Sequence, residues 1–299
     1  MIRGYVMQEQ PFSVNDGEGI RTTIFLAGCP MRCRWCSNPE GFGQKPLVGY
    51  YVKQCIGCGR CAEVCPQGIG IDLNDPAMRK KCTGCGKCAA ACPKSARRQL
   101  VSVRDADEII AAAKKFSMFY RASGGGITFS GGEATFQPEL LNYLSEQLYD
   151  MGFSLDLETC GQFDFDEVRP ALNRMDLIFI DIKHMDDKVH RKYTGMSNKT
   201  VLENICRLNE LSAEIAVRVP VIGGVNDSDD NILATASFVR ENLPRAKMEL
   251  LPYHELGAAK YEALGMDLPD ASFYTPAPEK MEHLKHIISQ AGVELISFR

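Results

Sequence analysis

Apolar and polar positions along the chain alternate between two periods. Short runs in which nearly every residue is apolar or β-branched are separated by longer stretches with an apolar residue every three or four positions. The first pattern suits buried strands and the second amphipathic helices, so their alternation predicts βα units around a parallel sheet. Six main strands are expected: TTIFLAG (22–28), GITFSGG (126–132), SLDLET (154–159), LIFIDIK (177–183), IAVRVPVI (215–222) and KMELLPY (247–253). Helices are expected near 105–119, 138–151, 166–174, 198–211, 230–242 and 277–291, and ELISF (294–298) makes a short seventh strand. Pro138 suits the opening of its helix and Gly152 the close. Helix-length connections between parallel strands cross over right-handed, so the natural closure is a full or partial barrel, with a doubly wound sheet as the alternative. In both, ligands meet the carboxyl ends of the strands.

Composition changes the picture at one place. The 299 residues are 45% apolar with a net charge of -4, enough for a core and without the basic excess that tracks nucleic acid. The first residues lack a signal-peptide pattern and no long apolar run follows, so a cytoplasmic, membrane-free protein is expected. Yet 13 residues are cysteine, and positions 29, 33, 36, 55, 58, 61, 65, 82, 85, 88 and 92 crowd the first third. In a reducing compartment such density points to metal or cluster ligation rather than disulfides.

Two runs repeat. CIGCGRCAEVCP carries Cys55, Cys58, Cys61 and Cys65, and CTGCGKCAAACP carries Cys82, Cys85, Cys88 and Cys92; both fit CxxCxxCxxxCP. That is the spacing of bacterial two-cluster ferredoxins, in which the fourth cysteine of each run serves the other cluster. Cys55, Cys58 and Cys61 then pair with Cys92, and Cys82, Cys85 and Cys88 with Cys65. Paired zinc sites are the alternative, although zinc ligands usually come as separated pairs. Residues 50–97 are expected to form a ferredoxin-like insert, and 1–49 with 98–299 the α/β body.

The expected strands end in polar or glycine-rich groups that a plain core does not need. The first ends at Cys29, Cys33 and Cys36, the second at Ser130, Gly131, Gly132 and Glu133, the third at Glu158 and Thr159. The fourth ends at Asp181 and Lys183, the sixth at Tyr253 and His254, and the fifth carries Arg218 within an apolar run, where a charge needs a partner. A salt-bridged strand end is the plain alternative for Asp181 and Lys183, and an exposed loop residue for His254.

CxxxCxxC after the first strand, with an aromatic before its last cysteine and GGE after the second strand, resembles the radical S-adenosylmethionine (SAM) enzymes. More narrowly, DGEGIRTTIFLAGCPMRCRWCSNPE, ITFSGGEATFQ, DIKHMDDKVHRKYTGMSN and ELLPYHELGAAKY resemble the glycyl radical enzyme activating enzymes of the larger type, which carry a ferredoxin insert. The resemblance implies a partial (β/α)6 barrel and three [4Fe-4S] clusters, one of them bound by Cys29, Cys33 and Cys36 with an iron left open for SAM. It implies an oxidoreductase that splits SAM reductively to methionine and a 5'-deoxyadenosyl radical, which takes hydrogen from a backbone glycine of a partner enzyme. Gly131, Gly132 and Glu133 would line the methionine amino group and Lys183 would pair with its carboxylate. Glu158, Thr159 and Asp181 would shape the methionine end; Glu158 stands where the short pyruvate formate-lyase activase has an aspartate at a monovalent-cation site. Trp35 would lie near the adenine, His254 near the nucleoside and Arg218 near the sulfonium, while Asp16 would meet the partner's glycyl loop. The implied partners are a large glycyl radical enzyme and a low-potential flavodoxin or ferredoxin donor, with the chain itself a monomer. Competing functions are a radical enzyme acting on a small molecule and a plain electron carrier.

Other residues read blandly. Cys160 and Cys206 fit inert small hydrophobes, His184 and His190 packing or surface positions, and Arg79, Lys80 and Lys81 a solvated face where an acidic reductase or flavodoxin could dock.

Overall fold

The computed structural model describes residues 2–298. Strand β1 (Arg3–Ser13) turns back into β2 (Arg21–Leu26), and β3 (Leu47–Tyr50) leads into a compact segment with three short helices. These are α1 (Arg60–Glu63), α2 (Pro76–Lys81) and α3 (Lys87–Ala90), after which β4 (Arg97–Asp105) returns to pair with β3. Then follow α4 (Ala106–Lys114), α5 (Ser117–Ser123), β5 (Gly126–Gly131), α6 (Pro138–Asp150), β6 (Ser154–Thr159), α7 (Phe165–Leu172) and β7 (Leu177–Asp181). The remainder is α8 (Asp187–Thr194), α9 (Lys199–Leu208), β8 (Glu214–Val221), α10 (Asp229–Asn242), β9 (Lys247–Pro252), α11 (Ala258–Leu264) and α12 (Pro278–Gln290). Among the described residues, no helix is long and apolar enough to cross a membrane.

One sheet of nine strands runs in the order β3-β4-β1-β2-β5-β6-β7-β8-β9. All six expected strands are present and lie side by side in parallel from β2 to β9. The fold is therefore α/β with a parallel-rich sheet. Three antiparallel strands, β1, β3 and β4, extend it and were not expected. The stretch 105–119 divides into α4 and α5, α8 and α11 are additional, and 294–298 contributes a single bridge from Leu295 to Met248.

Period-2 alternation gives the sheet two unlike faces. Leu155, Leu157, Ile178, Ile180, Val217 and Val219 pack under the helices, where α6 adds Leu140, Leu141, Leu144 and Leu148. Each such side chain contributes about 1.5–3 kcal/mol of burial. The residues between them, Asp156, Glu158, Phe179, Asp181 and Arg218, share the opposite face. Register places Arg218 opposite both Asp181 and Glu249.

The segment between β3 and β4 has a small core of Val48, Tyr50, Ile69 and Leu73, with Cys55, Cys65, Cys82 and Cys88 packed around it. Its two cysteine runs are built alike. Each short helix, α1 and α3, starts after a left-handed glycine, Gly59 at φ 77° and Gly86 at φ 78°. Arg79 corrects the expectation of a solvated basic face. Its guanidinium is half-buried, donates to the carbonyls of Val48 (2.5 Å) and Ala263 (2.9 Å) and bonds Asn74, tying the segment to α11. Lys80 and Lys81 are exposed as expected.

Candidate active site

The loop after β2 is fixed on two sides. The amides of Arg32 and Arg34 donate to the carbonyls of Thr194 and Tyr193 at the end of α8, and Gly28 N–H donates to Gly41. On the other side, Lys260 of α11 pairs with Glu40 at 2.6 Å and donates to Asn38 at 2.7 Å, while the Tyr261 hydroxyl donates to the Cys36 carbonyl. Cys29, Cys33 and Cys36 therefore converge, close enough that a charge on one acts on the others. Burial pushes the Cys33 thiol up to about 12 and the Cys36 thiol up to about 11. Burial thus disfavours ionised thiols at Cys33 and Cys36 on their own, whereas Cys29 shifts the other way; a cationic iron centre that takes all three as thiolates is the chemistry this donor set fits.

Lys183 lies beside Cys33 and Cys160, buried, with Asp181 at 2.7 Å. Burial works against its charge, but the Asp181 carboxylate in direct contact outweighs that and raises its pKa. A fixed ammonium thus stands at the thiol cage. Gly131, at φ 127°, brings backbone to the same rim; an added Cβ there would lie 2.1 Å from the Leu26 carbonyl oxygen. At Gly132 it would lie 2.6 Å from that of Gly28. Glu133 is buried and committed within the protein, accepting from the Thr135 amide and hydroxyl, the Thr159 hydroxyl (2.9 Å) and the Cys160 amide (2.6 Å). These bonds tie the ends of β5 and β6 together at the rim.

Below the cage, Arg218 spans two acids. Its Nε lies 2.8 Å from Glu249 and its Nη1 pairs with Glu158, whose other oxygen accepts from Ser130 at 2.6 Å. The guanidinium also stacks over Phe179. Burial disfavours the charge, but Glu158 and Glu249 more than compensate and raise the Arg218 pKa. Asp16 joins this face: its carboxylate accepts from Thr23 at 2.6 Å and its carbonyl from Thr128 at 2.7 Å. At the floor, Arg21 and Asp156 form a buried pair at 3.1 Å.

Trp35 packs with Tyr193 and Phe273, and with the exposed His254 it lines a cavity that Cys36, Tyr253 and Gly257 also border. The three cysteines follow β2, Gly131 to Glu133 close β5, Glu158 and Thr159 end β6, Asp181 and Lys183 end or follow β7, Arg218 lies within β8, and Asp16 precedes β2. Glu249, Glu40, Lys260 and Cys160 were missed. An arginine inside an apolar strand signals a missing acid, and Glu249 in KMELLP was the available one; Cys160 gave no such signal. It is buried and adjoins Cys29. His190 is a packing residue, its Nδ1 at 2.7 Å from the Met196 carbonyl.

The eight remaining motif cysteines line two neighbouring cavities. One is bordered by Cys55, Cys58, Cys61 and Cys92, the other by Cys82, Cys85, Cys88 and Cys65, with Cys61 at the boundary. Each cavity thus brings the fourth cysteine of one run beside the first three of the other. Amides of Gly57 and Gly84 donate to Cys55 and Cys82 sulfur at 3.4 Å. Among the described residues no three His, Cys, Asp or Glu side chains gather tightly enough for a single metal ion.

The family model of the radical SAM superfamily matches residues 23–236. The choline trimethylamine-lyase activating enzyme of Oleidesulfovibrio alaskensis is 35% identical over 89% of this chain and 89% of its own. The isethionate sulfite-lyase activating enzyme of Nitratidesulfovibrio vulgaris is 37% identical over 97% and 96%. A radical SAM methyltransferase structure from Sphaerobacter thermophilus shares the fold, with a TM-score of 0.51 at 15% identity over 96% of this chain and 76% of that one. The chain belongs to the radical SAM superfamily and, within it, to the activating enzymes of glycyl radical enzymes.

Proposed function

We propose that this activating enzyme works with three [4Fe-4S] clusters: one on Cys29, Cys33 and Cys36, and two in a ferredoxin-like insert spanning residues 50–97 of a partial (β/α)6 barrel. When bound, the first cluster supplies the electron that splits the sulfonium C–S bond of SAM, yielding methionine and a 5'-deoxyadenosyl radical that takes the Cα hydrogen of a partner glycine.

The chain's own residues bind and orient. Lys183, held charged by Asp181, pairs with the methionine carboxylate, and the backbone at Gly131 and Gly132 admits the amino group where a Cβ would block it. Glu133 and Thr159 keep that rim rigid. Glu158 and Glu249 fix Arg218 toward the sulfonium end. Trp35 and His254 border the adenosine cavity and shield it from water. Asp16, on the same face as Arg218, meets the entering glycyl loop. The insert relays electrons from a low-potential flavodoxin or ferredoxin to a monomeric, cytoplasmic enzyme. The partner is a large glycyl radical enzyme whose own substrate differs among relatives of similar identity.

The observation that carries this reading is the three-thiol cage beside the Lys183–Asp181 pair, at the carboxyl ends of parallel strands. Anaerobically reconstituted protein is expected to hold roughly 12 irons, four per cluster, and to form methionine and 5'-deoxyadenosine in equal amounts with dithionite and SAM. Roughly 4 irons would reject the insert's clusters, and no cleavage products would reject the reaction.

A further inference from the structure

Arg97 opens β4 at the place where the two insert cavities meet. It and Cys61 line both of them. The side chain is buried, at 3% exposure, and one nitrogen, Nη2, donates to the carbonyls of Gly70 (3.2 Å) and Ile71 (2.5 Å). The other two, Nε and Nη1, are buried with no hydrogen-bond partner. The guanidinium lies 4.2 Å from the centre of the Tyr50 ring. Its acceptors are carbonyls, and none is a carboxylate. A buried guanidinium without a counter-charge is a costly arrangement, and two unpaired donors at a cavity wall add to the cost.

The adjoining cysteines supply what is missing. Arg97 shares the wall of one cavity with Cys55, Cys58 and Cys92 and that of the other with Cys82, Cys85 and Cys88. A cubane with four thiolate ligands is net negative, and each electron it accepts makes it more so. Charge and hydrogen bonding near the sulfurs are among the factors that set a cluster's potential.

We propose that Arg97 is the shared counter-charge of the two insert clusters and holds both at higher reduction potentials than their ligands alone would set. This rests on the two-cluster reading of the insert. Each cluster takes one electron from a low-potential donor; no bond to the protein forms or breaks. No proton need accompany the electron, because the fixed guanidinium offsets the added charge. Arg98, the exposed neighbour that stacks on Tyr51 and bonds Gln54, has no such position and serves as the control.

The test uses the full chain, reconstituted anaerobically, with iron analysis and a potentiometric titration followed by electron paramagnetic resonance. In Arg97→Gln the insert clusters are expected to become harder to reduce by tenfold or more in the one-electron equilibrium, a downward shift of about 59 mV or more. The cluster on Cys29, Cys33 and Cys36 should keep its potential, as should all three in Arg98→Gln. Arg97→Lys, which keeps the charge, should recover most of the shift. If Arg97→Gln fails to load the insert while Arg97→Lys loads it, the need for charge is supported. Full loading of Arg97→Gln with native potentials would overturn the proposal, and so would loss of insert iron from both variants, which makes Arg97 a packing residue only. Roughly 4 irons in the native protein would sink the two-cluster reading itself, and the proposal with it, an outcome distinct from full iron with unchanged potentials.

Discussion

Replacing Arg218 with methionine keeps the stem's bulk and leaves Glu158 and Glu249 facing each other without a cation. Arg218 and Glu249 side chains are 9% and 3% exposed, whereas Glu158 retains 23%. Breaking a buried pair typically costs about 3–5 kcal/mol because a charge is left uncompensated. Glu249 bears that cost in full; Glu158 is partly relieved by water and by Ser130. A loss of about 4 kcal/mol is therefore expected. For a chain of this size it lowers the melting temperature by roughly 8 °C, at about 2 °C per kcal/mol. The deficit has a definite pH dependence. Burial holds the Glu158 carboxyl above its ordinary pKa against the opposing charge of Arg218; without Arg218 it binds its proton more tightly when folded than when unfolded, so the penalty is full above its raised folded pKa and shrinks as pH falls toward the ordinary glutamate value. Urea or thermal unfolding at pH 8 and pH 5.5 should show the larger deficit at pH 8, and Arg218→Met with Glu249→Gln should recover at least half. A loss under about 1 kcal/mol, within reach of an ordinary surface ion pair, or a deficit that grows on acidification, would refute the reasoning.

Asp156 is held up to about 7, first by burial and against the opposing charge of Arg21. Its folded pKa exceeds its unfolded one, so its contribution is fully present below about pH 4 and is lost as pH rises through 7. Native protein should thus lose more stability between pH 5 and pH 8 than Asp156→Asn does, as read by denaturation midpoints; equal slopes would contradict this. Gly131→Ala meets both a positive φ and the Leu26 carbonyl, and should cost about 3 kcal/mol or more, measured by thermal unfolding. Cys160→Ala should keep the native iron content and the yield of 5'-deoxyadenosine; loss of roughly four irons would make Cys160 a ligand.

The legible parts of the fold are those whose cause is local. Strands such as LIFID and EIAVRVPV declare themselves by continuous apolar runs, and α6 by its proline start and apolar spacing. Strand β1 does not, because the apolar residues of RGYVMQEQPFS fall as a short cluster, Tyr5 to Met7, and an isolated Phe12 rather than as a run, and one of its two partners, β4, lies about a hundred residues away; that pairing is a tertiary fact. Helix α8, DKVHRKYT, is almost wholly polar and is started by the Asp186 carboxylate, which accepts from the Lys188 and Val189 amides. The same division runs through the site. Cysteine spacing names the thiols, and the crossed sets follow from their repeat. Contacts made across the fold, such as Cys160 on Cys29 and Arg97 between the two cavities, carry no signal in their own neighbourhoods. Arg79 shows the reverse error: its basic neighbours suggested solvent, while the backbone carbonyls of β3 and α11 take it inward.

The central claim is that a glycine of a partner enzyme loses its Cα hydrogen to this protein's chemistry. The direct measurement is electron paramagnetic resonance of the reduced, cluster-loaded enzyme incubated anaerobically with SAM and its glycyl radical partner, the partner prepared with ordinary or Cα-deuterated glycine. The account predicts a carbon-centred doublet that collapses on deuteration and is absent when Cys33→Ala replaces the native enzyme. SAM cleavage without that doublet, or a doublet that persists with Cys33→Ala, would contradict it.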